Sequence, residues 1–259
     1  MNSDRVRQIG VTAAFILCIV GSAIGSGAFG GTPIAQAAGG ALSADATLLA
    51  PAGAAFTIWT VIYAGLGAYT ALQWAPSQRT SERQRLLGWW VAGSMLLNAA
   101  WILSIQAGLL FLSVPIIVVL LAVLAITFRI YTSRKPQSLL EAVIVDGTLG
   151  LYLGWVCVAV CANIAAVLSA AGFTGWSISP GIWAGAVLAV VVLVGVLLAV
   201  LGHGRLAVAA AIGWGLVWIA VGRTMAPEST TTAVAAAVAA AAVVLATVAI
   251  RIRKVSLRA

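Results

Sequence analysis

Long apolar segments separated by short polar turns form the dominant pattern along this chain. Eight of these segments reach the roughly 17–25 residues that a helix needs to cross the hydrocarbon core of a bilayer. The pattern therefore predicts an all-α integral membrane protein with eight transmembrane helices. The predicted spans are 9–31, 51–74, 86–108, 109–131, a part of 139–170, 181–201, 206–222 and 232–250.

The composition supports the same class of protein. Hydrophobic residues make up 63% of the chain and charged residues only 8%, whereas a soluble domain carries about 25% charged residues. A soluble enzyme or binding domain is therefore excluded. The net charge of +8 would suit a nucleic-acid partner, but the basic residues lie at the ends of apolar segments, where they set membrane topology. We expect the lipid bilayer as a partner and no nucleic acid.

The basic residues also predict the orientation of the chain. All but one of the 14 Lys and Arg residues lie before the first span or near the end of an even-numbered span, and only Arg223 follows an odd-numbered one. Because cytoplasmic loops are enriched in Lys and Arg, eight spans with both termini cytoplasmic satisfy this rule. Seven or nine spans would place the basic C-terminal tail outside. We predict a multi-pass protein of the plasma (inner) membrane.

The first apolar segment has two interpretations. Its basic start and the AQA triplet at 35–37 are typical of a secretory signal peptide. The apolar run is longer, however, than the roughly 7–15 residues of a signal peptide core. It also contains Gly21-xxx-Gly25 and Gly27-xxx-Gly31, spacings that allow close helix packing. We favour a retained helix that packs within the chain or forms a homodimer.

Polar and aromatic side chains lie along one face of the second and third predicted spans. Phe56, Trp59 and Tyr63 fall within about 60° of one another on a helical wheel. Asn98 and Trp101 are three residues apart, so they are neighbours on the surface of the third helix. An asparagine in hydrocarbon needs a polar partner, so we expect Asn98 to face the protein interior.

The fifth predicted span repeats this pattern. Tyr152, Trp155, Ala159 and Asn163 fall within about 80° on the wheel. The three faces lie at a similar depth below the loop that joins the first two spans. Two interpretations remain open: these side chains join the helices to one another, or they line a ligand pocket.

Two acidic residues lie near the start of the fifth span. We expect Glu141 and Asp146 at the inner interface beside Arg134 and Lys135, in the first turns of a helix, where the helix dipole stabilises acidic side chains. The alternative is a carboxylate that couples proton movement to transport.

The cysteines are expected to be small packed residues and not members of a disulfide or metal site. Cys18, Cys157 and Cys161 lie inside apolar runs and lack the neighbouring His or Cys residues of a metal site. No phosphate-binding glycine loop and no Ser/His/Asp set is present. We therefore predict no metal, no cofactor and no catalytic residues.

Three sequence motifs resemble those of one membrane protein family. WTVIY at 59–63 followed by Gly67 is similar to the second-helix motif of the translocator proteins, or tryptophan-rich sensory proteins (TspO/MBR). LNAAW at 97–101 resembles the third-helix motif of this family. YLGW at 152–155, followed by Asn163, resembles its fifth-helix motif. The motifs occur in the family's order and cover about residues 9–170.

The chain also departs from the family pattern. Leu151 stands where the family has a proline, and Ala54 stands where a tryptophan is expected. The last three spans have no equivalent in the five-helix core of the family. The resemblance therefore implies a divergent member in which helices 1–5 form a TspO-like bundle and a three-helix extension follows. The implied domains are a cytoplasmic N-terminus at 1–8, the bundle at 9–170, three further helices at 171–250 and a basic cytoplasmic tail at 251–259.

The resemblance implies a function in ligand binding. Family members bind porphyrins and other flat hydrophobic molecules, and the leading hypothesis is a non-enzymatic membrane receptor or carrier for such ligands. The alternatives are a proton-coupled secondary transporter or permease using Asp146 or Glu141, an enzyme of porphyrin photodegradation, and a purely structural subunit. The residues implied to line the ligand site are Phe56, Trp59, Tyr63, Asn98, Trp101, Tyr152, Trp155 and Asn163.

Overall fold

The computed structural model describes residues 3–27 and 32–256. Gly31 of the second glycine pair and Arg258 of the basic tail lie outside these residues. The regular elements in the described part of the chain are all helical, and no strand occurs there. The α-helices are α1 (Ser3–Gly25), α2 (Ile58–Leu72), α3 (Pro76–Arg79), α4 (Glu82–Gln106), α5 (Leu110–Ser133), α6 (Leu139–Glu141), α7 (Thr148–Ala170), α8 (Pro180–Leu201), α9 (Leu206–Gly222) and α10 (Thr230–Ser256).

The helices have the length and composition of membrane spans. Seven helical stretches of the described residues are long and apolar enough to cross a membrane. The predicted seventh span is α9, an apolar helix of 17 residues, at the short end of the range for a spanning helix. The prediction of an all-helical membrane fold is confirmed.

Three helices begin several residues from their predicted starts: α1 begins at Ser3 and not at 9, and α2 and α4 differ for local reasons. α2 begins at Ile58 and not at 51, because the preceding residues Gly53–Thr57 form a 3₁₀-helix. α4 begins at Glu82, inside the predicted polar turn, directly after Ser81 in an extended conformation. An acidic residue in the first turn of a helix is stabilised by the helix dipole, so this basic turn is partly helical.

The fifth span is one continuous helical stretch with an irregular start. α6 leads through a π-helix at Ala142–Gly147 into α7. Of the 18-residue apolar segment in this stretch, 61% is buried inside the protein, compared with 28–44% of the corresponding segments in the other six stretches. A helix that is apolar on all sides is typically buried in the protein, and α7 therefore has the surroundings of an interior helix.

The chain divides into two compact units. The first unit consists of the described residues of Met1–Ile34 and Ile58–Leu149, and the second consists of those of Ala35–Thr57 and Gly150–Ala259. The loop between α1 and α2 is thus a part of the second unit, although both helices belong to the first. The domain ranges drawn from the sequence stay a prediction.

In the first unit, α4 packs between α1 and α5. The glycine pair of α1 is used in this packing, since a Cβ at Gly21 would lie 3.0 Å from the Cβ of Ala99 and one at Gly25 would lie 2.5 Å from Ile102. Gly21-xxx-Gly25 therefore serves contacts within the chain.

In the second unit, α10 packs against both α8 and α9. Gly195 of α8 allows the approach of Val243, because a Cβ there would lie 2.8 Å from that side chain. Gly154 of α7 lies so close to the carbonyl oxygen of Val208 that a Cβ would collide with it. α9 is thus closely packed with α7, and α10 joins α9 to α8.

Candidate functional site

In the first unit, a hydrogen-bonded aromatic group is built around Tyr63. The side chain of Asn98 donates a hydrogen bond to the Tyr63 hydroxyl at 2.9 Å, and this hydroxyl shares a second hydrogen bond with Ser22 at 2.8 Å. The ring of Trp59 stacks on that of Tyr63, with centroids 5.1 Å apart and planes at 19°. α1, α2 and α4 therefore all contribute to fixing this ring pair.

The amide end of this group is buried. Asn98 is only 2% exposed, and its Nδ2 atom also lies 3.6 Å from the sulfur of Cys18. Trp59, Tyr63 and Trp101 are half-buried. An apolar ring surface with one oriented hydroxyl and one amide is the type of lining that flat hydrophobic ligands need.

In the second unit, a separate aromatic contact joins the first loop to α7. The ring of Phe56 meets that of Trp155 edge to face, with centroids 5.8 Å apart and an interplanar angle of 78°. Trp155, Tyr152 and Asn163 are all buried, at 2% exposure or less. The first loop therefore places an aromatic side chain on the most buried helix of the protein.

The eight residues implied from the sequence thus fall into two groups. Phe56 does not share the helix of Trp59, because it lies in the 3₁₀-helix Gly53–Thr57. A 3₁₀-helix turns about 120° per residue instead of 100°, so the helical wheel does not apply to Phe56. Trp59, Tyr63, Asn98 and Trp101 belong to the first unit, and Phe56, Tyr152, Trp155 and Asn163 belong to the second.

The first loop is held by α9, a contact that the sequence did not predict. Trp214 donates a hydrogen bond from its indole nitrogen to the carbonyl oxygen of Ala55 at 2.9 Å. The backbone nitrogen of Ala52 donates to the carbonyl oxygen of Trp218 at 3.0 Å. The two tryptophans contact each other edge to face at 5.6 Å. Their spacing of one helical turn was visible in the sequence, but their partners in the loop were not.

Arg223 completes the attachment of this loop. Its guanidinium is 1% exposed and donates to the carbonyl oxygens of Ala44 at 2.6 Å and Ala50 at 3.4 Å, as well as to that of Pro227 at 3.2 Å. Burial lowers the pKa of Arg223. The pKa of the nearby Asp45 carboxyl is held below its usual value, mainly by the hydrogen bond from the Ser43 hydroxyl and in part by Arg223. The one basic residue that breaks the topology rule therefore has a defined structural task.

The acidic residues of the fifth span have a different partner from the one expected. Arg83 of α4 donates to Glu141 at 2.8 Å and also bonds Asp146, and all three side chains are buried. The expected neighbour Arg134 instead forms an ion pair with Glu82 at the surface, and the expected neighbour Lys135 is exposed.

The π-helix explains how one guanidinium reaches both carboxylates. A π-helix forms hydrogen bonds between residues five apart, and Glu141 and Asp146 have this separation. Such irregular turns are frequent at functional sites. Within the described residues no group of three His, Cys, Asp or Glu side chains could hold a metal ion, and the three cysteines are free.

The comparison with protein families decides the identity of this architecture. A family model described as "TSPO-like protein" matches residues 8–250. The chain belongs to the TSPO-like family. The match includes α8, α9 and most of α10, so the predicted three-helix extension lies within the matched region. Searches of the curated proteins and of the solved structures returned no match.

Proposed function

We propose that this protein is a membrane receptor or carrier that binds porphyrins or similar flat hydrophobic ligands in an aromatic-lined intramembrane pocket. Its membership of the TSPO-like family supports a membrane protein of this kind. The observation that carries the proposal is the stacked pair of Trp59 and Tyr63, whose hydroxyl is oriented by Asn98. The ligand contacts proposed are the eight residues named from the sequence, and the two groups that they form are tested separately.

The chemistry of the first group suits a macrocycle. Aromatic rings prefer offset stacking, and a stacked pair adds about 0.5–1.5 kcal/mol beyond the area that it buries. The half-buried rings of Trp59 and Trp101 offer apolar surface, and the Tyr63 hydroxyl offers one fixed polar contact. The buried group of Phe56 and Trp155 in the second unit is the second candidate contact surface.

A porphyrin titration tests the proposal. Protoporphyrin IX is added in the dark to the purified protein in detergent, and the shift of its main absorption band is followed. We expect saturable binding that is weakened about tenfold or more in Trp59→Ala, Trp101→Ala or Trp155→Ala, the cost of about 1.4 kcal/mol for a lost stacking contact. Trp176→Ala is the matched control, because Trp176 is 77% exposed in the turn between α7 and α8. If porphyrin binding does not saturate, or if all variants bind porphyrin equally, the proposal is wrong.

A second candidate function is proton-coupled transport through Glu141 or Asp146. It is favoured by the burial of both carboxylates beside a π-helix. Tyr69 of α2 is fully buried, and its hydroxyl has no hydrogen-bond partner within the described residues. Buried polar atoms of this kind are usually satisfied by water, and water molecules can carry a proton between side chains.

Proton flux into reconstituted vesicles tests this second candidate. A pH-sensitive dye inside the vesicles reports flux driven by a potassium diffusion potential. Transport predicts a flux that depends on the protein and is lost in Asp146→Asn but retained in Glu82→Gln, a change at an exposed carboxylate. A flux equal to that of empty vesicles excludes it.

We further propose that both termini face the cytoplasm. The basic residues support this orientation, and their single exception, Arg223, is occupied with backbone carbonyls of the first loop. The orientation is tested by labelling single cysteines placed at Ser77 and Ser43, which a membrane-impermeant reagent should distinguish in intact cells. Labelling of the Ser77→Cys variant from outside contradicts it.

A further inference from the structure

The hydrogen bonds from α9 and Arg223 to the segment 44–56 of the first loop all go to its backbone. The indole of Trp214 donates to the carbonyl oxygen of Ala55, and the carbonyl oxygen of Trp218 accepts from the backbone nitrogen of Ala52. Arg223, which directly follows α9, donates to the carbonyl oxygens of Ala44 and Ala50. These contacts do not depend on the identity of the loop side chains, so they fix the course of the loop itself.

The contact between α9 and the loop is also sterically close. A Cβ at Gly222 would lie 3.2 Å from the carbonyl oxygen of Ala50 and 3.2 Å from the nitrogen of Ala52. Such a distance is shorter than an ordinary van der Waals contact. The last residue of α9 therefore allows the loop backbone to lie directly on the helix, within reach of Arg223.

The charge of Arg223 is compensated by dipoles and not by a buried acid. Its hydrogen bonds go to three carbonyl oxygens, and hydrogen bonds from a charged donor are about twice as strong as neutral ones. Asp45, the nearest acidic residue on the loop, is exposed. The loop is thus bound by a cation that would be costly to leave buried without these carbonyls.

The held segment ends at the aromatic contact of the second unit. Ala55, the residue bound by Trp214, directly precedes Phe56, whose ring meets Trp155 at 5.8 Å. We propose that α9 clamps the first loop and that Arg223, acting through the loop backbone, positions Phe56 against Trp155 and so tunes the affinity of this aromatic group for its ligand. The clamp stands on the hydrogen bonds alone, and its effect on the ligand rests on the proposed function.

Hydrogen–deuterium exchange tests the clamp without any ligand. In Arg223→Gln we expect backbone amides of 44–56 to exchange about tenfold faster than in the unmodified protein, as for the loss of a charge-assisted hydrogen bond. Amides of α4 and α5 should not change. Trp214→Phe keeps an aromatic ring but removes the indole N–H that donates to Ala55, and it should raise exchange in the same segment even if Arg223→Gln fails to fold. Unchanged exchange in both variants overturns the clamp.

Matched substitutions separate the clamp from a general loss of charge. Arg251 also donates to a backbone carbonyl, that of Gly204 at 3.4 Å, but its side chain is exposed. Arg251→Gln should leave exchange of 44–56 unchanged, and Arg223→Lys should restore a part of the protection because it keeps a charged donor. Equal effects of the two Gln variants contradict a specific role for Arg223.

A double-mutant cycle with protoporphyrin IX tests the positioning of Phe56. Arg223→Gln and Phe56→Leu should each weaken porphyrin binding about tenfold. The double variant should also bind about tenfold more weakly than the unmodified protein, because effects that act through one contact do not add. An additive loss of about a hundredfold, or unchanged affinity in Arg223→Gln, overturns the positioning role. If the unmodified protein binds no porphyrin, the proposed function fails, whereas faster exchange in Arg223→Gln still establishes the clamp.

Discussion

The side-chain amide of Asn98 donates a hydrogen bond to the hydroxyl of Tyr63 at 2.9 Å, which joins α4 to α2 inside the first unit. Both residues come from motifs that resemble those of the TspO/MBR proteins, and Ser22 of α1 holds the same hydroxyl. The contact explains how a sequence with few polar residues fixes the orientation of an aromatic pair. It also stabilises the helix packing, so the role in stability and the role in binding need separate tests.

Removing the Tyr63 hydroxyl should destabilise the protein only slightly. Tyr63→Phe leaves the ring in place and removes the two hydrogen bonds of the hydroxyl, with Asn98 and with Ser22. A hydrogen bond between helices is worth about 0.6 kcal/mol on average and up to about 1.7 kcal/mol in a membrane protein. Asn98→Leu should have a similar cost. The free energy of unfolding in mixed detergent micelles measures both, and a double variant that costs the full sum of the two would show that the side chains do not interact.

Removing Arg83 should destabilise the protein strongly. Arg83→Ala removes the guanidinium that the buried Glu141 and Asp146 share, and loss of one member of a buried ion pair costs about 3–5 kcal/mol. Arg134→Ala breaks the exposed pair with Glu82 and should cost about 0–1 kcal/mol. The same unfolding assay compares them. A similar loss of unfolding free energy in the two variants would contradict the burial of Arg83 with Glu141 and Asp146.

The close contact at Gly154 predicts an asymmetry between two glycine substitutions. In Gly154→Ala the added methyl group would collide with the carbonyl oxygen of Val208, so overpacking should cost about 1–3 kcal/mol. In Gly185→Ala no packing neighbour among the described residues lies within 4 Å of the new methyl group, and the helix should gain roughly 0.5–1 kcal/mol. Thermal unfolding ranks the two variants, and the reverse order would refute the packing of α7 on α9.

The aromatic cluster between α7 and α8 should lie at the membrane–water interface. Phe173, Trp176 and Trp183 contact one another with centroids 5.3 to 6.1 Å apart, and Trp and Tyr are enriched at that level of the bilayer. The emission of Trp176 is obtained as the difference between the fluorescence of the unmodified protein and that of Trp176→Phe. Lipids brominated near the headgroup should quench this emission more than lipids brominated at the chain end. Stronger quenching from the chain end would place Trp176 in the hydrocarbon core.

The sequence predicted the features that follow from the lengths of the apolar segments and from the positions of the charged residues. The limits of α9 were predicted as 206–222, because an apolar run between Arg205 and Arg223 leaves little freedom. The match of the TSPO-like family model confirms the resemblance that began with the motifs around Trp59 and Asn98. Whether the eight residues line one ligand site stays a prediction.

The sequence could not predict contacts between distant segments. Arg83 lies 58 residues before Glu141, so no local pattern identifies it as the partner, and the π-helix that brings Asp146 to it has no clear sequence signal. Phe56 was misplaced because the helical wheel assumes a regular α-helix. Arg223 was recognised as an exception to the charge rule, but its carbonyl partners in the first loop only become visible in the fold.

A structure of the protein with bound protoporphyrin IX tests the central claim most directly. We predict that the macrocycle lies within about 4 Å, the distance of van der Waals contact, of the rings of Trp59 and Tyr63 or of Phe56 and Trp155. A porphyrin held only on lipid-facing side chains, or stacked on the exposed Trp176, would contradict the account.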